Sequence, residues 1–191
     1  MSALVSSRDA ACYAAAQELT WDPGERFEYN SGTSTLLARI VGDAAGEDAG
    51  DMRGFMQDEL FDVIGMEPVD TQFDDAGTWM GAFSADTTAR GYAKFGLLHL
   101  RGGEWDGVQV LPKEWVEFVR TPSPTSPEYG GHWWLDPSRP GMFHAIGIRG
   151  NVITVDPAND LVIVQLGTVP GSLPLEHFEA IMDTFESVDN P

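Results

Sequence analysis

The spacing of apolar residues changes about two-thirds of the way along this chain. Up to residue 120 they recur at three- and four-residue intervals, which lines one face of a helix. Residues 8–19 read as a short helix. Leu36, Leu37, Ile40, Val41, Ala44 and Ala45 share one face of the next, and Gly46 is placed to end it. Asp51 to Leu60 reads as another helix, followed by the turn-rich Gly65-Met66-Glu67-Pro68. Ser84 is expected to cap a helix with apolar positions Ala89, Tyr92, Ala93, Leu97 and Leu100, stopped by Gly102-Gly103. Pro112 opens a helix to Arg120, because proline is tolerated in a first turn. Thr121 to Tyr129 carries three prolines and reads as an ordered loop. Beyond it, Val152 to Val155 and Leu161 to Leu166 are β-rich runs, and Asp156-Pro157-Ala158-Asn159-Asp160 joins them as a hairpin. A closing helix is expected from Leu175 to Phe185.

Helices, then antiparallel strands, then a closing helix make an α+β pattern, not alternating βαβ units. The expectation is a single partial domain over 1–191. Its helical part covers about 8–120, and its antiparallel strands and closing helix about 129–187. With 191 residues, 6 Trp and 10 Phe, the chain is long and apolar enough for a real core. Thirty acidic residues against 11 basic ones give a formal charge of -19, a field that repels phosphate backbones and argues against nucleic-acid partners. That acidity fits a well-solvated surface, or adaptation to salt.

The lone cysteine, Cys12, excludes an internal disulfide framework, and its alanine-rich surroundings suggest a buried helix position. No stretch approaches the length of a membrane span. No signal peptide is visible, so a cytoplasmic location follows if Met1 is the true start. There is no G-x-G-x-x-G, no phosphate-binding G-x-x-x-x-G-K, no G-x-S-x-G elbow and no H-E-x-x-H. The four histidines, His99, His132, His144 and His177, lie far apart, and neither a metal nor a cofactor is expected.

Pro23 to Gly32 is the most informative stretch. In extended backbone, residues i and i+2 point the same way, so Tyr29 and Ser31 would project together just before a helix. A tyrosine there can take a proton from a serine hydroxyl if nearby cations lower its pKa. The alternative is a half-buried Tyr29, with Asn30 or Ser31 capping the helix. Trp133 and Trp134 are adjacent, so one can face a core and the other a cleft.

Tyr29-Asn30-Ser31-Gly32, followed by Leu36-Leu37-Ala38-Arg39-Ile40, resembles the second conserved element of the serine β-lactamase and penicillin-binding-protein superfamily. It is most similar to the branch of class C β-lactamases, their related esterases and 6-aminohexanoate-dimer hydrolase. Further similar segments follow in order: Leu60 to Met66, Thr87 to Gly96, Leu111 to Val116, Tyr129 to Trp134, and Gly147 to Asn151. The resemblance covers about residues 10 to 186 and implies an acyl-enzyme mechanism on ester, amide or β-lactam bonds. By it, Tyr29 would be the general acid/base, and Ser31 would stand where many relatives carry Asn. Ala145-Ile146-Gly147 would be the third element on a strand edge, where Gly147 admits substrate and the Ile148 N–H helps bind the oxyanion.

Two departures matter. Ala145 replaces the usual cationic or hydrogen-bonding residue, which favours an ester or simple amide over a β-lactam carboxylate. His144 would compensate only if its side chain faced the substrate, and adjacent strand residues face opposite ways. The second departure is the missing Ser-x-x-Lys nucleophile. The only lysines are Lys94 and Lys113, and Gly91 and Val110 stand three residues before them. The expected fold is therefore an incomplete β-lactamase-like one without its N-terminal strands and serine helix. An unpaired sheet edge would then invite self-association. Two functions stand side by side: the C-terminal part of a serine hydrolase, inactive alone, and a non-catalytic truncated or degenerate relative that binds a ligand or partner.

Overall fold

The computed structural model describes residues 2–46 and 48–167; the helix expected at Leu175 to Phe185 lies outside them. The chain divides into two compact units, Met1–Lys94 with Pro124–Ser126, and Phe95–Ser123 with Pro127–Pro191.

The first unit is mainly helical. It holds α1 (Ser2–Val5), α2 (Ala10–Ala15), α3 (Ser31–Ala45) and α4 (Ala49–Met56). Asp9 caps α2 by accepting the Cys12 N–H at 2.9 Å. Ala10 and Ala11 fill the buried side of this short helix, which turns Cys12 to solvent, contrary to the buried position expected for it. Asn30 caps α3, its Oδ1 accepting the Gly32 N–H at 2.7 Å, a contact worth about 1 kcal/mol.

The buried side of α3 is Thr35 and Ala38, and α2 packs against α3. Small residues let helix backbones approach closely, and the Thr35 hydroxyl is satisfied by the Ser31 carbonyl at 2.9 Å. The apolar stripe read from the sequence leaves Leu37, Ile40 and Val41 44%, 64% and 42% exposed. Periodicity found the apolar face, but α2 took the side with the smaller residues.

Asp48 and Asp51 form a reciprocal capping box on α4. The helix widens through one π-turn, Gln57–Phe61, into α5 (Asp62–Ile64), and Gly65 ends it at φ 62°. It therefore runs past the Leu60 expected as its end. The Lys94 ammonium donates to the Gly65 carbonyl. Strands β1 (Val69–Asp70) and β2 (Asp86–Thr87) pair antiparallel. Ser84 is buried and does not cap the helix that follows. Its Oγ accepts the Gln72 N–H at 3.0 Å and lies 3.3 Å from the Met80 carbonyl. The capping bond comes from Thr88, whose Oγ1 accepts the Gly91 N–H at 3.1 Å at the start of α6 (Ala89–Leu100).

The second unit contains the end of α6, a hairpin of β3 (Glu104–Trp105) and β4 (Val108–Gln109), α7 (Lys113–Val119), and a four-stranded antiparallel sheet. The sheet order is β5 (Trp134–Leu135), β6 (Phe143–Ile146), β7 (Val152–Asp156) and β8 (Leu161–Gln165). The expected β7–β8 hairpin is present, in register from Val152 opposite Gln165 to Asp156 opposite Leu161. Gly96 brings α6 down onto this sheet. A Cβ there would stand 2.7 Å from Val162 Cγ1 and 2.9 Å from Ile153 Cγ2. The core continues as an aromatic chain: His99 lies 4.6 Å from Phe95 and 4.8 Å from Trp133, and Trp133 meets Phe143 edge-on at 4.8 Å. The architecture is α+β.

Candidate functional site

Tyr29 and Ser31 lie in the first unit, on either side of the Asn30 cap. Asn30 is extended at φ -145°, Ser31 is the first residue of α3, and Tyr29 is 58% exposed. The cap fixes where the chain enters the helix and so where the phenol stands. The Arg26 guanidinium, close in sequence, lies 5.0 Å over the ring of Trp21.

The other expected residues lie in the second unit, His144 and Ala145 on β6, Gly147 and Ile148 just beyond it, and Trp133 and Trp134 at the start of β5. His144 pairs with Trp134 of β5 and Thr154 of β7, and Ala145 pairs with Ile153. Strand β5 accompanies β6 only at Phe143 and His144. Among the described residues, Ala145, Ile146 and Gly147 therefore have no strand partner on that side. Gly147 continues the extended backbone at φ -104°, ψ 174°, and its N–H donates to the Asn151 carbonyl at 2.8 Å. Among the described residues, a Cβ at Gly147 would meet Asn151 alone, at 3.5 Å, an ordinary contact. Local packing thus gives no reason for glycine there. Ile148 follows, 64% exposed, and its N–H has no hydrogen-bond partner among the described residues.

His144 and Trp133 occupy interior positions. The His144 ring is buried, with Nδ1 2.9 Å from Thr154 Oγ1, and its Nε2 has no partner among the described residues. Burial lowers its pKa against the opposing pull of Asp136 and Asp156, which favours the neutral ring. Trp133 is enclosed by Phe95, His99 and Phe143. Of the two adjacent tryptophans it is therefore Trp134, half-buried and edge-on to Tyr129 at 5.0 Å, that reaches the surface.

A cavity of about 610 Å³ in the second unit contains none of the expected residues. Arg120, Leu135, Asp136, Met142 and Phe143 line it together with four prolines. It opens at the Phe143 end of β6, four residues and so roughly 13 Å of strand from Gly147. Burial raises the Asp136 carboxyl, but the Ser138 hydroxyl and the Ser138 and Arg139 N–H groups outweigh it and hold the group below its ordinary range.

The sequence profile of the β-lactamase family matches residues 2–182. The chain belongs to the β-lactamase family. Within this family of serine hydrolases and penicillin-binding proteins, it is 30% identical over 110 aligned residues to the 6-aminohexanoate-dimer hydrolase of Paenarthrobacter ureafaciens. That alignment covers 51% of this chain and 28% of the relative. A Bacillus anthracis protein provisionally named 6-aminohexanoate-dimer hydrolase superposes with a TM-score of 0.79 at 24% identity, over 92% of this chain and 48% of that one. A provisionally named β-lactamase of Bacteroides dorei DSM 17855 gives a TM-score of 0.71 at 16% identity, over 93% and 64%. The chain thus spans less than two-thirds of each of these relatives. These likenesses establish a β-lactamase-like fold, of which the described residues form a part.

Proposed function

We propose that these 191 residues are the C-terminal part of a serine hydrolase that cleaves ester or simple amide bonds through an acyl-enzyme. The nucleophile would come from a Ser-x-x-Lys segment that the sequence does not contain. Its hydroxyl oxygen attacks the substrate carbonyl carbon while the hydroxyl proton passes by way of the Tyr29 oxygen to the lysine of that segment. The Ile148 N–H donates to the oxyanion as it forms. Collapse breaks the ester or amide bond, and Tyr29 returns the proton to the departing alcohol or amine. Water then releases the acid and the free serine.

The observation that carries this reading is the end of β6, where, among the described residues, the strand edge is unaccompanied, packing does not require the glycine, and the adjacent N–H has no partner. Ala145 in place of a cationic residue supports esters and simple amides over β-lactams.

The test is intact mass after incubation with a fluorophosphonate and, separately, a chromogenic β-lactam. The chain alone should remain unmodified, and adding the family's Ser-x-x-Lys segment in cis or trans should give a one-to-one fluorophosphonate adduct. An adduct on the chain alone would refute the missing nucleophile. No adduct after complementation would favour a non-catalytic binding protein.

A further inference from the structure

We propose that Arg149 is the specificity-determining residue of this strand end, binding a carboxylate carried by the substrate's acyl group. The inference rests on the acyl-transfer reading above and deepens it.

The backbone supplies the first observation. Among the described residues, four non-glycine residues have positive φ: Asp106, His132, Arg149 and Asp160. Aspartate and histidine are among the side chains that tolerate this region, whereas arginine has no such local compensation. Arg149 sits at φ 63°, ψ 14°, where glycine would be unstrained. Strain of this kind persists where the surroundings fix the conformation, and it gathers at binding sites.

The surroundings do fix it. The Asn151 N–H donates back to the Ile148 carbonyl at 3.3 Å, and the Asn151 carbonyl receives the Gly147 N–H at 2.8 Å. Asn151 Oδ1 accepts the Gly167 N–H at 3.0 Å, and the Gln165 side-chain amide reaches the Gly150 carbonyl at 3.5 Å. A side chain at Gly167 would collide with the Arg149 carbonyl, so the turn is also packed from outside.

Charge is the second observation. From residue 140 to the C-terminus, Arg149 is the sole Lys or Arg, against seven Asp and Glu. It is exposed, and its guanidinium makes no hydrogen bond or ion pair among the described residues. It follows directly on the N–H assigned to the oxyanion. The two candidates on β6 itself do not serve an anion: Ala145 is uncharged, and His144 is buried against Thr154. A guanidinium presents a planar fork of donors that fits a carboxylate.

The experiment is an NMR titration of the 191-residue chain with monomethyl glutarate, using dimethyl glutarate as the uncharged control. The monoester should shift the amides of Ile148, Arg149 and Gly150, and the diester should not. Arg149→Gln should weaken the response about tenfold or more. Arg149→Gly, which suits the backbone, should fold at least as stably and also lose binding. Equal responses to both esters, no response, or an unchanged response in both variants would overturn the proposal. Binding that depends on Arg149, in a protein that still forms no acyl-enzyme after complementation, would sink the catalytic reading and leave the anion site standing.

Discussion

One substitution made at two helical glycines should give opposite results. Gly42 lies inside α3, and a Cβ built on it meets nothing within 4 Å among the described residues. Replacing a mid-helix glycine by alanine restricts the unfolded chain and should stabilise by about 0.5–1 kcal/mol. Gly96 lies inside α6, where the same Cβ would stand 2.7 Å from Val162 Cγ1, 2.9 Å from Ile153 Cγ2 and 3.5 Å from Val155 Cγ2. Real Cβ atoms do not approach closer than about 3 Å, so helix or sheet must shift, and their branched side chains have few rotamers to yield with. Overpacking of this kind costs roughly 1–3 kcal/mol. The helix-propensity gain is common to both variants and cancels in their difference. Gly42→Ala should therefore exceed Gly96→Ala in stability by about 1–3 kcal/mol. For a protein of this size that is roughly 2–12 °C in Tm. Urea unfolding followed by circular dichroism measures the gap directly, with equal slopes confirming that the unfolded states match. If Gly96→Ala were as stable as Gly42→Ala, the close approach of α6 to β7 and β8 would be wrong.

Other expectations follow from the same geometry. Gly147→Val adds a side chain to already extended backbone with open surroundings, so stability should stay within about 0.5 kcal/mol. Turnover in the complemented enzyme should nonetheless be blocked, and normal kcat/KM would remove Gly147 from the strand-edge role. Tyr29→Phe in the same enzyme should slow acyl transfer by roughly 10²- to 10⁴-fold; full single-turnover rates would remove the phenol from the chemistry. The third concerns pH. Burial lowers the pKa of His99, despite its bond to Phe95, and of His144, from an ordinary value near 6.5. Depressed histidines bind protons more readily when unfolded, so stability should be complete above about 6.5 and fall as pH drops below it. The slope should be at most about 1.4 kcal/mol per pH unit for each ring. Asp136 acts in a separate window, since its lowered carboxyl stabilises above about 3.8 and loses that contribution only on further acidification. Urea midpoints unchanged between pH 7.5 and 5 would contradict the neutral burial of both rings.

What could be read from the sequence was what neighbouring residues determine. The β7–β8 hairpin was legible because branched apolar runs flank a turn that contains Pro157, and turn and strands agree. The β3–β4 hairpin carried an equally local signal, Asp106-Gly107 between Trp105 and Val108, but its two-residue strands are too short to show alternation. The ends of α6 and α3 divided along the same line. Gly102-Gly103 mark a stop through backbone freedom and Gly46 one through the close approach of Asp51, whereas Ser84 looks like a cap and is drawn into the core by Gln72 and Met80. The outward turn of Leu37, Ile40 and Val41 has the same origin, because periodicity defines a face and packing chooses its direction. Tyr29 and Gly147 stand out in the sequence because each belongs to a short motif. The division between Trp133 and Trp134 and the inward turn of His144 depended on tertiary neighbours.

The end of β6 is where local physics and sequence disagree most clearly. At residue 147 the backbone is extended and a Cβ would make ordinary contacts with the described residues; the chain has glycine. Two residues later φ is 63°, where glycine is the unstrained choice; the chain has arginine. Folding alone would favour the reverse at both positions. Exchanging them places a bare backbone edge and a fixed cation on either side of the Ile148 N–H. A carbonyl pressed against a strand needs the first, and a charged group on the same molecule needs the second. Sequence-level reasoning is expected to fail at functional positions, because there a residue answers to something outside the fold. Two such reversals within three residues, beside an N–H without a partner among the described residues, are why the proposed site is placed at this strand end.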